Sequence, residues 1–172
     1  SNYYTKSTAD STFAQKSKVS SIDTRVSDVE YKTKDMTRKL VNGQFSVVFD
    51  DVNVHIRNGK GSSSSTDSDG NLIIGYNENP GTQSGSHNLV VGDGHTFTSY
   101  GGIVGGRSSE VTAHYASVLG GRGNKATGSY ATVSGGDSNE ASGTESTVAG
   151  GELTVASGIE AADLGGRDNT AR

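Results

Sequence analysis

The dipeptide Gly-Gly begins at residues 105, 120, 135, 150 and 165, so one spacing of 15 residues recurs four times without a slip. Other columns keep the same period. Val111, Ala126, Ala141, Ala156 and Ala171 form one; Ile103, Val118, Val133 and Val148 form another, broken only at Asp163. Asn124, Asn139 and Asn169 form a third, with Thr154 standing in once. Helix-pair repeats need about 33–47 residues, so the unit is read as one coil of a parallel β-solenoid. At ~3.3 Å per residue such a coil measures about 50 Å around, room for two strands of about five residues and two tight turns. On this reading Gly-Gly supplies the left-handed backbone of one turn. The Asn column is expected at the other, its stacked amides bonding coil to coil. Within residues 129–134, Ala131 and Val133 are expected to point inward and the rest outward. Leu72-Ile73-Ile74-Gly75 and Leu89-Val90-Val91-Gly92 look like the same unit with longer insertions between, so the solenoid is expected over 71–172.

A coil of this composition has little to bury. The chain has 25 Gly, one Pro, one Met, no Trp and no Cys, and 30% of its residues are hydrophobic. Each ordered backbone residue costs roughly 1–2 kcal/mol, which an interior of Ala, Val and Gly offsets poorly. Three rolls side by side could each bury a face, so a homotrimer is expected.

The N-terminal zone, 1–41, asks for the same symmetry by different means. Val19, Ile22, Val26, Val29, Thr33, Met36 and Leu40 follow one another in alternating steps of three and four, a heptad seam. With Val19 at position a, Val26, Thr33 and Leu40 fall at a, and Ile22, Val29 and Met36 at d. Lys18 and Arg25 at g face Asp23 and Glu30 at e in a parallel arrangement. β-branched residues at d disfavour two strands. The expectation is a trimeric α-helical coiled-coil stalk, the rival being a lone amphipathic helix packed on its own domain.

Between stalk and head, 42–70 reads as a β collar and a Ser-rich loop. Phe45, Val47 and Phe49 alternate, as do Val52, Val54 and Ile56, which predicts two strands or one bent pair. Four consecutive Ser at 62–65 mark the loop.

Several functions find little support. A net charge of −4 argues against nucleic acid and anionic membrane surfaces. No segment approaches the ~18 apolar residues of a membrane span, so no membrane insertion is expected of this fragment. Zero Cys removes disulfide and thiolate chemistry. Residues 121–126 match the dinucleotide fingerprint formally, but they sit at a repeat corner with no helix to follow. Asp67-Ser68-Asp69-Gly70-Asn71 is similar to a calcium loop, yet the register puts Ser65 first and Tyr76 twelfth, where a Glu is needed. His55, His87, His95 and His114 lack a close ligand spacing. No catalytic residues, metal or cofactor are expected.

The repeats Gly123-Asn-Lys-Ala-Thr-Gly-Ser-Tyr-Ala-Thr-Val-Ser-Gly-Gly136, 138–151 and 153–166 resemble the head repeats of trimeric autotransporter adhesins. That resemblance implies left-handed parallel β-rolls, three per trimer, joined to coiled-coil stalks. Two departures stand out: the stalk precedes the head, and the coils have 15 residues with a Gly-Gly corner. Residues 85–92 also resemble segments of other bacterial surface proteins. Tyr3-Tyr4-Thr5-Lys6, followed by Asp10 and Phe13-Ala14, resembles linker motifs of phage tail fibres and baseplates. These resemblances imply an extracellular fibre on a bacterial cell surface or, alternatively, on a phage virion.

One column carries a candidate contact surface. Tyr100, Tyr115 and Tyr130 are each 15 apart, with His114 beside them, and Glu145 and Glu160 continue the column. On successive coils ~4.8 Å apart they form a stripe. It is expected to touch a glycan or protein of a target cell, exposed aromatics giving contact area at low entropic cost. The alternatives are a structural ladder or burial in the trimer. Glu110, Lys125 and Glu140 read as coil-to-coil charge pairing. The expected function is attachment, with a purely structural shaft as the rival.

Overall fold

The computed structural model describes the backbone from Lys6 to Arg172 and falls into two compact units, residues 1–55 and 56–172. Tyr3, Tyr4 and Thr5 of the fibre-like motif lie outside the described residues.

The first unit opens with helix α1, Lys6–Thr33. No Gly or Pro interrupts it, and Lys32 sits in its last turn, where a cation opposes the helix dipole. Thr24 and Thr33 turn their hydroxyls back onto the carbonyls of Ser20 and Val29, a local bond that suits polar β-branched residues inside a helix. Val19, Ile22, Val26 and Val29 lie along it with about half their surface exposed.

The heptad seam does not continue as helix beyond Thr33. Met36 and Leu40 belong to strand β1, Met36–Val41, which pairs antiparallel with β2, Gln44–Phe49. The reason lies in Asn42-Gly43, with φ of 50° and 81°. Two successive left-handed residues make the two-residue turn whose twist matches a β-hairpin. Cross-strand pairs Met36–Phe49, Arg38–Val47 and Leu40–Phe45 share one face, and the Arg38 guanidinium lies 4.5 Å from the Phe45 ring centroid. The second expected strand is absent: Val52, Val54 and Ile56 lie in irregular, exposed chain.

The second unit is a parallel β-solenoid. One sheet stacks β3 (Leu72–Ile74), β4 (Leu89–Asp93), β6 (Ile103–Arg107), β8 (Ser117–Val118), β10 (Thr132–Val133), β12 (Thr147–Val148) and β14 (Ala162–Asp163). The other stacks β5 (Thr96–Phe97), β7 (Glu110–Val111), β9 (Lys125–Ala126), β11 (Glu140–Ala141), β13 (Val155–Ala156) and β15 (Thr170–Ala171). Isolated bridges joining Arg107, Arg122, Asp137, Glu152 and Arg167 add a third line of pairing at one corner. The strands of the regular coils are two residues long, not five, because the chain bends at three places per coil.

The interior is thin. Val90, Val104, Val118, Val133 and Val148 line one wall, Phe97, Val111, Ala126, Ala141 and Ala156 the other, and Ala116 and Ala131 close one end. Ala131 and Val133 do point inward. The inward column differs from the sequence reading at one place: Val104, not Ile103, stacks under Val118, and Ile103 pairs with Ser117 on the outer surface. The coil from Val104 to Val118 thus has 14 residues, whereas Arg107 to Arg122 spans 15. The added residue lies at the Gly-Gly corner, and beyond it the long strands β4 and β6 give way to two-residue ones.

That corner also holds the Asn column, which is not at a separate turn. His95, Ser109, Asn124, Asn139, Thr154 and Asn169 each bond the carbonyl four residues back, those of Val91, Gly105, Gly120, Gly135, Gly150 and Gly165. The link between coils comes from the other side of each group. Asn139 N–H donates to Asn124 Oδ1 at 2.9 Å, Thr154 N–H to Asn139 Oδ1 at 2.9 Å, and Ser109 N–H to His95 Nδ1 at 3.3 Å. Backbone carbonyls turned into the bend are thereby bonded by side chains, as buried polar groups require a partner.

Candidate functional site

The remaining turn of each coil carries the aromatic column. Residues 113–116, 128–131, 143–146 and 158–161 are each closed by a bond from the fourth N–H to the first carbonyl, 3.1–3.4 Å long. The third residue of each is left-handed: Tyr115, Tyr130, Glu145 and Glu160 have φ of 57–62°. Gly or Asn adopts this conformation cheaply; Tyr and Glu bear roughly 1–2 kcal/mol of backbone strain there. Coil-to-coil bonds fix the stack, with Tyr115 N–H donating to Tyr100 O at 2.9 Å and Glu145 N–H to Ser129 O at 2.8 Å.

The structure brings the expected residues together. Tyr115 and Tyr130 stack, centroids 5.6 Å apart and planes 15° from parallel. Tyr100 stacks on His114 at 5.9 Å and meets Tyr115 edge-on at 5.4 Å. His114 meets Tyr115 and Tyr130 edge-on at 5.7 and 5.2 Å, and its Nδ1 lies 3.4 Å from Ser129 Oγ. Tyr115 packs so closely over Gly101 that a side chain there would stand 2.8 Å from its ring. Even so, Tyr115 and Tyr130 keep 46% and 51% of their surface exposed. The seam residues, by contrast, divide between two elements: Val19, Ile22, Val26, Val29 and Thr33 on α1, Met36 and Leu40 on β1.

Charge is sorted around the coil. At the glycine corner Asp93 faces Arg107 at 3.7 Å, Arg122 bonds Asp137, and Glu152 faces Arg167 at 3.5 Å. The Arg122 guanidinium and the Ser138 hydroxyl hold the Asp137 carboxyl below its usual range, and Asp137 raises Arg122 in return. On the second sheet Lys125 pairs with Glu110 at 3.4 Å. Glu145 and Glu160, on the aromatic edge, have no side-chain partner among the described residues. The ion-pair column at 107, 122, 137, 152 and 167 was legible as a 15-residue repeat, but its mixed signs hid it from a search for like residues.

Asp67 of the calcium-like segment is engaged otherwise. It accepts from Ser86 Oγ at 2.6 Å and Asn58 Nδ2 at 3.0 Å, which lowers its pKa. Among the described residues, no three acidic or imidazole side chains converge as metal ligands, and no helix is long and apolar enough to cross a membrane.

The geometry defines a repeat protein, a parallel β-solenoid of about seven turns with an N-terminal helix and hairpin. No protein-family model, curated protein or solved structure shows a significant match to the chain.

Proposed function

We propose that this chain is a segment of a homotrimeric extracellular fibre that attaches to a cell surface, without enzymatic activity. The supporting observation is apolar surface left open on the helix, the hairpin and the solenoid. On the helix it is the stripe Val19, Ile22, Val26 and Val29; on the hairpin, Met36, Leu40, Phe45, Val47 and Phe49. On the solenoid it is the outer face of the first sheet, where Leu72, Ile74, Val91, Ile103 and Leu119 stand in two adjoining columns. Apolar tracts of this extent mark interaction surfaces, and a two-stranded hairpin is marginal without a packing partner. Identical copies supply matching surfaces for each of these elements. The resemblance to adhesin heads favours a bacterial surface, and the N-terminal motif a phage fibre.

Attachment is assigned to the aromatic edge, where weak contacts repeated on three chains add through avidity. The rival reading, a structural shaft, is favoured by the mutual stacking of the rings. Sedimentation equilibrium tests assembly, with three chain masses expected at micromolar concentration and a stable folded single chain refuting it. Binding of the fragment to bacterial cells and a glycan array tests adhesion, and loss on Tyr115→Ser/Tyr130→Ser with the mass unchanged separates contact surface from shaft.

A further inference from the structure

The aromatic column changes character between Tyr130 and Glu145. Up to Tyr130 each ring is backed by a ring on the next coil. Beyond it the same left-handed position holds Glu145, then Glu160, and the flanking residues Thr144 and Ile159 supply no ring. Both carboxylates are exposed, and among the described residues neither has an ion-pair or side-chain hydrogen-bond partner. The turn edge at 98–100, 113–115, 128–130, 143–145 and 158–160 contains no Lys or Arg. The carboxylates at the glycine corner, in contrast, are paired with arginines. The edge therefore presents a stacked Tyr pair followed, one coil of ~4.8 Å further on, by unneutralised negative charge.

We infer that this step, Tyr130–Glu145–Glu160, is a binding site for basic side chains of a partner protein, arginine above all. The inference rests on the attachment role assigned to this edge. A cation is attracted within about 6 Å of a Tyr ring centroid, and a coil spacing places one held by Glu145 within that reach of Tyr130. Guanidinium fits better than ammonium, being planar enough to lie on the ring while bonding a carboxylate with its fork of donors. Non-Gly residues at the strained position on these coils supply the ring and the charge where Asn or Gly would cost less.

The test is fluorescence-anisotropy titration of the full chain with a labelled acetyl-heptaarginine peptide at two salt concentrations. Saturable binding is expected, weakened by salt and about tenfold weaker in Tyr130→Ser and in Glu145→Gln. Glu140→Gln removes the same charge from the second sheet's outer surface, away from the rings, and is expected to bind as the parent does. Equal losses in Glu140→Gln and Glu145→Gln would mean bulk electrostatics and overturn the site. So would unchanged binding in Tyr130→Ser, no binding at all, or retention of a neutral oligosaccharide in place of the peptide. Circular dichroism and sedimentation of each variant keep misfolding apart from loss of the site. A monomer that still binds the peptide would refute the trimer and leave this inference standing.

Discussion

At the residue scale, the two glycines of each repeat are not equivalent. Gly121, Gly136 and Gly151 are left-handed, at φ of 84–99°, and a methyl on any of them would overlap the carbonyl oxygen of the matching glycine one coil on. Gly120, Gly135 and Gly150 face open space. Gly136→Ala is therefore expected to destabilise the head by about 2 kcal/mol or more, strain and overlap adding. Gly135→Ala should lie within about 0.5 kcal/mol of the parent. Thermal melts of the pair decide it, and equal losses would mean that both positions are conformationally constrained. Asn139 offers a second test. It donates to the carbonyls of Gly135 and Gly151 and accepts from Thr154 N–H and Oγ. Asn139→Leu keeps the volume and orphans those groups, so a loss of about 3–5 kcal/mol is expected in chemical denaturation.

At the scale of the element, the corner is an ion ladder as well as a hydrogen-bond ladder, and this sets its acid response. Asp137 titrates below the usual carboxylate range because Arg122 and Ser138 bond it, and Asp67 because Ser86 and Asn58 do. In the unfolded chain both titrate near ~3.9. A depressed folded pKa contributes stability that is fully present above the unfolded value and is lost as pH falls through the folded one. The solenoid is therefore expected to keep the full contribution of these groups, unchanged, between pH 7 and about 5, and to lose it progressively below about 4. The slope should be shallow, since exposed pairs are screened. Asp137→Asn should flatten part of that fall in melts taken from pH 3 to 7; an unchanged acid limb would exclude the ladder as its cause.

At the scale of the whole molecule, stability and assembly meet on the first sheet's outer face. Ile74 and Leu119 are half-exposed on the same sheet face, three coils apart, with Val91 and Gly105 between them. Both stand outside the buried interior wall formed by Val90, Val104 and Val118. Charges there should leave the coil intact and penalise association. Ile74→Lys/Leu119→Lys is expected to lower the sedimenting mass or weaken assembly at least about tenfold, with the β-rich circular dichroism spectrum retained. A variant that assembles like the parent would free this face from the interface.

What the sequence determined alone is the coil. A strict period of 15, with small apolar residues, glycine pairs and asparagines in fixed columns, leaves a stacked parallel solenoid because each column repeats the same backbone need on every turn. Asn42-Gly43 was equally decisive for the hairpin, yet a heptad count running through Met36 and Leu40 concealed it. Nearest-neighbour periodicity registers the spacing of apolar residues and is blind to a local turn that changes the element beneath them. Only the tertiary structure decided which of Ile103 and Val104 faces inward, since a single added residue at the corner shifts one ladder and not the other. It alone joined the Asn and Gly columns at one bend and put Tyr115 and Tyr130 in left-handed backbone. Those facts depend on how the coil closes across space, which no count along the chain contains.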